Sequence, residues 1–269
     1  MPELPEVEIM TRNTRRWLLG KSIRRLVVDD PRVLRDGAER VDALGGAVVE
    51  AVRRRAKHMV IQCGSHDLAV HFRMTGKVVR GPSDGKVRWS IQPQSGPSVD
   101  FKDARCLGEL RLFPAGGADR WLQTLDIGPE PYPDAQTGGW WADRFAGARG
   151  AIKPALLDQR RVAGIGNILA SEICWRASLN PRTPVADVSG ASWDAVAAAV
   201  PALVDEVIAT ESGDEIVYVG ESRDAGSTTF AVYAREGLPC WRCSDSGPGV
   251  ARFKQAQRST FWCPRCQVG

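Results

Sequence analysis

Four of the seven cysteines fall as Cys240-x2-Cys243 and Cys263-x2-Cys266, separated by residues 244–262. Each pair can bend around one ion, and four thiolates complete the tetrahedral shell of a structural zinc site. Two disulfides are the competing arrangement. They are disfavoured because the chain shows no charged-then-apolar leader and reads as cytoplasmic. A module of roughly 30 residues has too little core to fold unaided, so zinc binding would supply much of its folding free energy. Its loop, VARFKQAQRSTFW, alternates basic and apolar residues, which predicts a β-hairpin presenting Lys254, Gln257 and Arg258. Cys63 and Cys174 stand alone and read as core residues.

The rest of the 269 residues is enough for one large or two ordinary domains. No apolar run approaches the ~18–20 residues of a membrane span. The net charge of +4 is modest, but arginines gather near the C-terminus at Arg235, Arg242, Arg252, Arg258 and Arg265, with Lys254 among them. Such a patch suits phosphate, which a guanidinium fork pairs bidentately.

Apolar positions at helical spacing over 4–19 (Val7, Ile9, Met10, Trp17, Leu18), closed by Gly20, predict an N-terminal helix. From about 22 to 113, short Val/Ile-rich segments broken by Gly-Pro, Ser-Gly and Asp-Gly predict a β-sandwich or barrel. The stretch 114–150 reads as a turn-rich connection, and 151–212 as helices. The expected fold is therefore α+β and multidomain. Residues 1–134 would form a helix plus β-sandwich domain, 135–234 a helical domain and 235–269 the zinc hairpin. In QRRVAGIGN, Gly164 and Gly166 permit a tight turn and Asn167 stands where an N-cap is favoured, at a helix end whose free amides attract phosphate.

The opening MPELPEVE bears on chemistry. Removal of Met1 would leave Pro2 with a free secondary amine. An α-amino group has a reference pKa of about 7.7–8.0, so part of it is unprotonated and nucleophilic at neutral pH. Glu3 and Glu6 follow closely.

Taken together, PELPEVE at 2–8, RRAK at 54–57, HFRMTG at 71–76, IGPEP at 127–131, GIGNILASE at 164–172 and QRSTFWCPRC at 257–266 resemble the formamidopyrimidine-DNA glycosylase/endonuclease VIII family. The resemblance runs from Pro2 to Cys266. It implies a bifunctional DNA glycosylase and abasic-site lyase of base excision repair, acting as a monomer on damaged double-stranded DNA at the bacterial nucleoid. Pro2 would attack C1′ of a flipped nucleotide and form a Schiff base, and Glu3 would protonate the sugar oxygen. Glu6 would support the N-terminus and His71 the backbone near the site. Lys57, Asn167 and Arg258 would clamp the flanking phosphates, with Lys57 and Arg258 close to the reacting nucleotide. Lys254 and Gln257 would add DNA contacts from the hairpin, and a helix–two-turn–helix element would carry Asn167.

Three residues would fill the vacated stack: Met74, Arg105 and Leu107. The family's oxidised-purine branch has Phe at the last of these positions, and Cys106 stands where an Arg is usual. The segment 213–229 is also shorter than that branch's base-covering region and lacks its motif. Oxidised purines, 8-oxoguanine and formamidopyrimidines, are the expected substrates, because PELPEVE belongs more to that branch. The alternatives are excision of oxidised pyrimidines and a non-catalytic lesion binder. A small tautomerase with an N-terminal proline base is a third, poorly suited to this length and to a zinc hairpin.

Overall fold

The computed structural model describes residues 2–211, 213–217, 230–243 and 249–268. The chain divides into two compact units, Met1–Leu125 with Ile208–Ser227, and Asp126–Val207 with Thr228–Gly269. The helical segment and the cysteine hairpin share the second unit.

The first unit opens with helix α1 (Leu4–Leu18), capped at Glu3, with Pro5 in the first turn where its missing N–H costs nothing. Strands β1 (Ile23–Val28), β2 (Leu34–Asp36), β3 (Val49–Arg55), β4 (His58–Cys63), β5 (His66–His71), β6 (Lys77–Arg80), β7 (Val87–Pro93), β8 (Val99–Lys102) and β9 (Glu109–Pro114) follow, then helix α2 (Gly117–Thr124). They form the β-sandwich: one sheet has the order β1-β7-β8-β6, the other β2-β9-β5-β4-β3, with only β2 and β9 parallel. β4 is almost continuously buried because both of its faces are covered. Val60 and, on β5, Ala69 meet Ala118 and Leu122 of α2, which lies in the stretch expected to be turns. The double glycine opening α2 hides the helix from a periodicity reading. It is there because a Cβ on Gly117 would sit 2.6 Å from the Phe113 Cβ.

α1 packs chiefly on β3. Arg54 of β3 is therefore no solvated face: its side chain is 4% exposed and its Nε donates to Glu8 at 2.9 Å.

The second unit holds helices α3 (Gly138–Phe145), α4 (Ile152–Leu156), α5 (Asn167–Arg176) and most of α6 (Gly190–Thr210); Phe145 of α3 stacks on Trp141 and on Trp193 of α6, and α4 packs on α5. α3 also falls within the expected turn region; Thr137 caps it by accepting the Trp140 N–H at 3.1 Å. Strands β10 (Ala251–Gln255) and β11 (Arg258–Trp262) form the hairpin, which rests on α5 through Val232, Val250 and Phe261, with Trp175 and Tyr233 against them. Cys63 and Cys174 are fully buried, as core residues should be. Among the described residues, no helix is long and apolar enough to cross a membrane.

Candidate functional site

In the first unit the candidate side chains lie at the start of α1 and at three strand connections. Pro2 is buried and precedes the N-cap. Glu3 is 2% exposed, and its backbone N–H donates to Glu6 Oε2 at 2.7 Å. Burial, and then the neighbouring Glu3 carboxylate, push the Glu6 carboxyl up to about 7. This carboxyl therefore holds its proton more readily than an ordinary glutamate.

Lys57 sits in the two-residue connection between β3 and β4, where Ala56 takes φ +53° and Arg55 pairs with His58. His71 closes β5. Its Nδ1 accepts the Arg73 N–H at 3.1 Å, in the turn that carries Met74. Sequence reasoning passed over His58, which meets the His71 ring edge-on at 4.6 Å. Burial, chiefly, holds both imidazoles well below the usual histidine range, His58 at about 4, so both are neutral. Met74 and Leu107 are 41% and 37% exposed, and Arg105 is exposed beside them in sequence, so all three present side chains to solvent from the β5–β6 and β8–β9 connections. Of the short segment 213–229, only 213–217 fall within the described residues.

In the second unit Asn167 is not the N-cap. Gly166 takes that place, and Asn167 is the first helical residue of α5. A capping asparagine would spend its oxygen on the helix amides; here Oδ1 accepts from Lys153 Nζ at 2.5 Å and Nδ2 donates to Ser259 O at 3.0 Å. Lys153 is fully buried and also donates to Ser259 O, at 3.2 Å. One ammonium thereby ties α4, the start of α5 and β11 together, next to Arg258. Nothing in AIKPALLDQ distinguishes this lysine from an ordinary helical one. Arg258, Gln257 and Lys254 are exposed on the hairpin. Its turn residues Ala256 and Gln257 both have positive φ, +46° and +61°, a conformation usually left to Asn-Gly.

The four cysteines converge. Their sulfurs lie within 4.8 Å of one another, with Cys240 to Cys266 at 3.7 Å and Cys243 to Cys263 at 3.4 Å. These are too long for disulfides and close to the ~3.7 Å edge of a tetrahedron with Zn–S bonds of 2.3 Å. Trp175 Nε1 donates to Cys240 Sγ at 3.4 Å, and Gln267 accepts the Cys263 N–H at 2.7 Å, an outer shell that orients the ligands. Glu172, the last residue of GIGNILASE, accepts three backbone N–H groups, from Ala231, Val232 and Tyr233, at 2.8–2.9 Å. It holds the segment that leads into the hairpin.

Two family descriptions match this chain: the formamidopyrimidine-DNA glycosylase N-terminal domain over residues 1–110 and the corresponding helix–two-turn–helix domain over 127–217. The formamidopyrimidine-DNA glycosylase of Enterococcus faecalis is 32% identical over 99% of this chain and 97% of its own length. That of Paracoccus denitrificans is 36% identical over 99% and 100%. The Lactococcus lactis Fpg protein, solved with DNA containing N7-benzyl-Fapy-dG, superposes with a TM-score of 0.85 at 26% identity over the whole of both chains. With matching domains, full-length relatives above 30% identity and the same fold, the chain belongs to the formamidopyrimidine-DNA glycosylase family.

Proposed function

We propose that this protein is a bifunctional DNA glycosylase and abasic-site lyase that excises oxidised bases, purines above all, from double-stranded DNA. The observation that carries the reading is the start of α1, where Pro2 adjoins a buried Glu3 whose N–H is held by Glu6.

Once Met1 is removed, the Pro2 nitrogen attacks C1′ as the glycosidic bond breaks; the electron pair of that bond leaves with the base, which takes up the proton the amine sheds. Glu3 protonates O4′, the sugar ring opens, and the resulting iminium acidifies the C2′ proton. Loss of that proton expels the 3′ phosphate, and a second elimination expels the 5′ phosphate. Glu6 steadies the turn that carries the amine by accepting the Glu3 N–H. Lys57, Asn167 and Arg258 grip the phosphates around the flipped nucleotide. Lys254 and Gln257 extend that contact. Met74, Arg105 and Leu107 fill the vacated stack, which offsets the few kcal/mol that flipping costs.

Zinc is the ion that best suits four thiolates at tetrahedral spacing. Cys240, Cys243, Cys263 and Cys266 would hold it, and with every position taken by protein its role is structural. The enzyme works as a monomer, at the bacterial nucleoid where its substrate lies.

Incision of duplexes carrying 8-oxoguanine, a formamidopyrimidine or thymine glycol tests the reading. Cleavage of the purine lesions, leaving phosphates on both sides of a one-nucleotide gap, is the expected result. Cleavage at thymine glycol alone would move the protein to the pyrimidine branch, and tight binding with no cleavage would make it a lesion binder.

A further inference from the structure

We infer that Asp103 is the positioning residue that makes the two stack-filling loops act as one wedge. The proposal rests on the reading of Met74, Arg105 and Leu107 given above.

Asp103 directly follows β8 and is 1% exposed. Both of its carboxylate oxygens are used within the two loops. Oδ1 accepts the Thr75 hydroxyl, from the residue after Met74, and the Arg105 N–H at 3.2 Å. Oδ2 accepts the N–H groups of Leu107 and Gly108, each at 2.7 Å. A single buried anion therefore fixes the backbone at Arg105 and Leu107 and pins the neighbour of Met74 to the same point. Charge-assisted bonds of this kind are roughly twice as strong as neutral ones.

Packing repeats the junction. A Cβ on Gly76 would lie 2.6 Å from Phe101 Cζ and a Cβ on Gly108 2.5 Å from the same atom, so both loops close on one ring. That ring stacks on Trp89 at 5.1 Å with planes 5° apart. Behind the second loop, Arg88 donates to the Asp103 carbonyl at 2.8 Å and pairs with Asp30, which also receives the Cys106 thiol at 3.3 Å. With the backbone held on every side, the exposed Met74, Arg105 and Leu107 side chains project from a rigid mount. A wedge that must enter a base stack needs that rigidity, because a misplacement of about 1 Å can cost roughly 100-fold in rate.

Thr75→Val cuts only the link between the loops, while Asp103→Asn also turns an amide toward amide donors. Both are to be assayed for excision of 8-oxoguanine from a duplex and for elimination at a preformed abasic site, which carries no stacked base to expel. Thermal unfolding serves as the folding control. Thr75→Val should slow lesion excision about tenfold and Asp103→Asn more, as expected for loss of one or more bonds to a charged group, with abasic elimination within about twofold of wild type. A 2-aminopurine beside the lesion should show delayed unstacking in the same variants.

Wild-type excision by Thr75→Val would overturn the proposal, and so would an equal fall in both activities. Met74→Ala and Leu107→Ala test the underlying reading separately. If these leave lesion excision unchanged, there is no wedge to position, whatever Asp103 does.

Discussion

Replacing Lys153 with Met tests whether this residue organises the proposed phosphate contacts or only holds the fold. The ammonium is fully buried and bonds Asn167 Oδ1 at 2.5 Å and Ser259 O at 3.2 Å. Each hydrogen bond to a charged group is worth about 1.5–3 kcal/mol, but removing the buried charge also returns a desolvation cost of several kcal/mol. For folding the two partly cancel, but Asn167 Oδ1 is left without this donor, so an apolar side chain of similar length should lower stability by only about 1–3 kcal/mol. DNA binding has no such cancellation. Asn167 and the Ser259 carbonyl next to Arg258 lose the donor that fixes them, and about 2 kcal/mol of preorganised contact corresponds to roughly 30-fold weaker binding. Fluorescence anisotropy with a duplex carrying a stable abasic analogue, alongside urea denaturation, reads both quantities. In a double-mutant cycle, Lys153→Met and Asn167→Ala should couple by about 1 kcal/mol or more. Affinity within twofold of wild type, or strictly additive losses, would refute the argument, and a large fall in stability with affinity kept would make Lys153 a packing residue.

Three other perturbations have definite expected outcomes. Glu6 has a folded pKa raised from 4.5 to about 7, so its neutral form favours the native state: the stability it contributes is full below 4.5 and is lost as pH rises to 7. That difference amounts to about 3 kcal/mol, so wild type should lose this much more stability than Glu6→Gln between pH 4.5 and 7.5, and parallel pH profiles would contradict it. If the four cysteines hold the proposed zinc, a chelator should unfold the hairpin and abolish DNA binding, and undiminished activity of a verified metal-free protein would show the site to be dispensable. Gln257→Gly relieves a positive φ in the β10–β11 turn and should stabilise the protein by about 1 kcal/mol while weakening DNA binding; a loss of stability would mean that the turn is held by the Gln257 side chain.

The parts of this molecule that the sequence makes legible are those where spacing itself is the chemistry. The two C-x2-C pairs, the alternating hairpin between them and the apolar stripe of α1 each specify a local geometry whose pattern can be read without knowing what it packs against. The sandwich is visible as a class, from short β-rich segments between turn residues, but not its order: the parallel pairing of β2 with β9 depends on contacts far apart in sequence. α2 and α3 stay hidden because glycines that mark turns elsewhere mark close approaches here, to Phe113 and to Asp194. The site shows the same division. Pro2, Glu3 and Glu6 can be read from one short motif, whereas Lys153 and Glu172 act through burial and bonds to distant backbone, and Asp103 through burial and its bond to the distant Thr75 hydroxyl. Asn167 illustrates both cases. Its place at the start of α5 is legible, but its amide is turned away from the helix end by Lys153 and Ser259.

Borohydride trapping on an abasic-site duplex, followed by mass spectrometry of the N-terminal peptide, tests the central claim most directly. The account predicts that the purified protein begins at Pro2 and that the reduced sugar is attached to the Pro2 nitrogen. An adduct on Lys57, or none from a chain shown to start at Pro2, would contradict it.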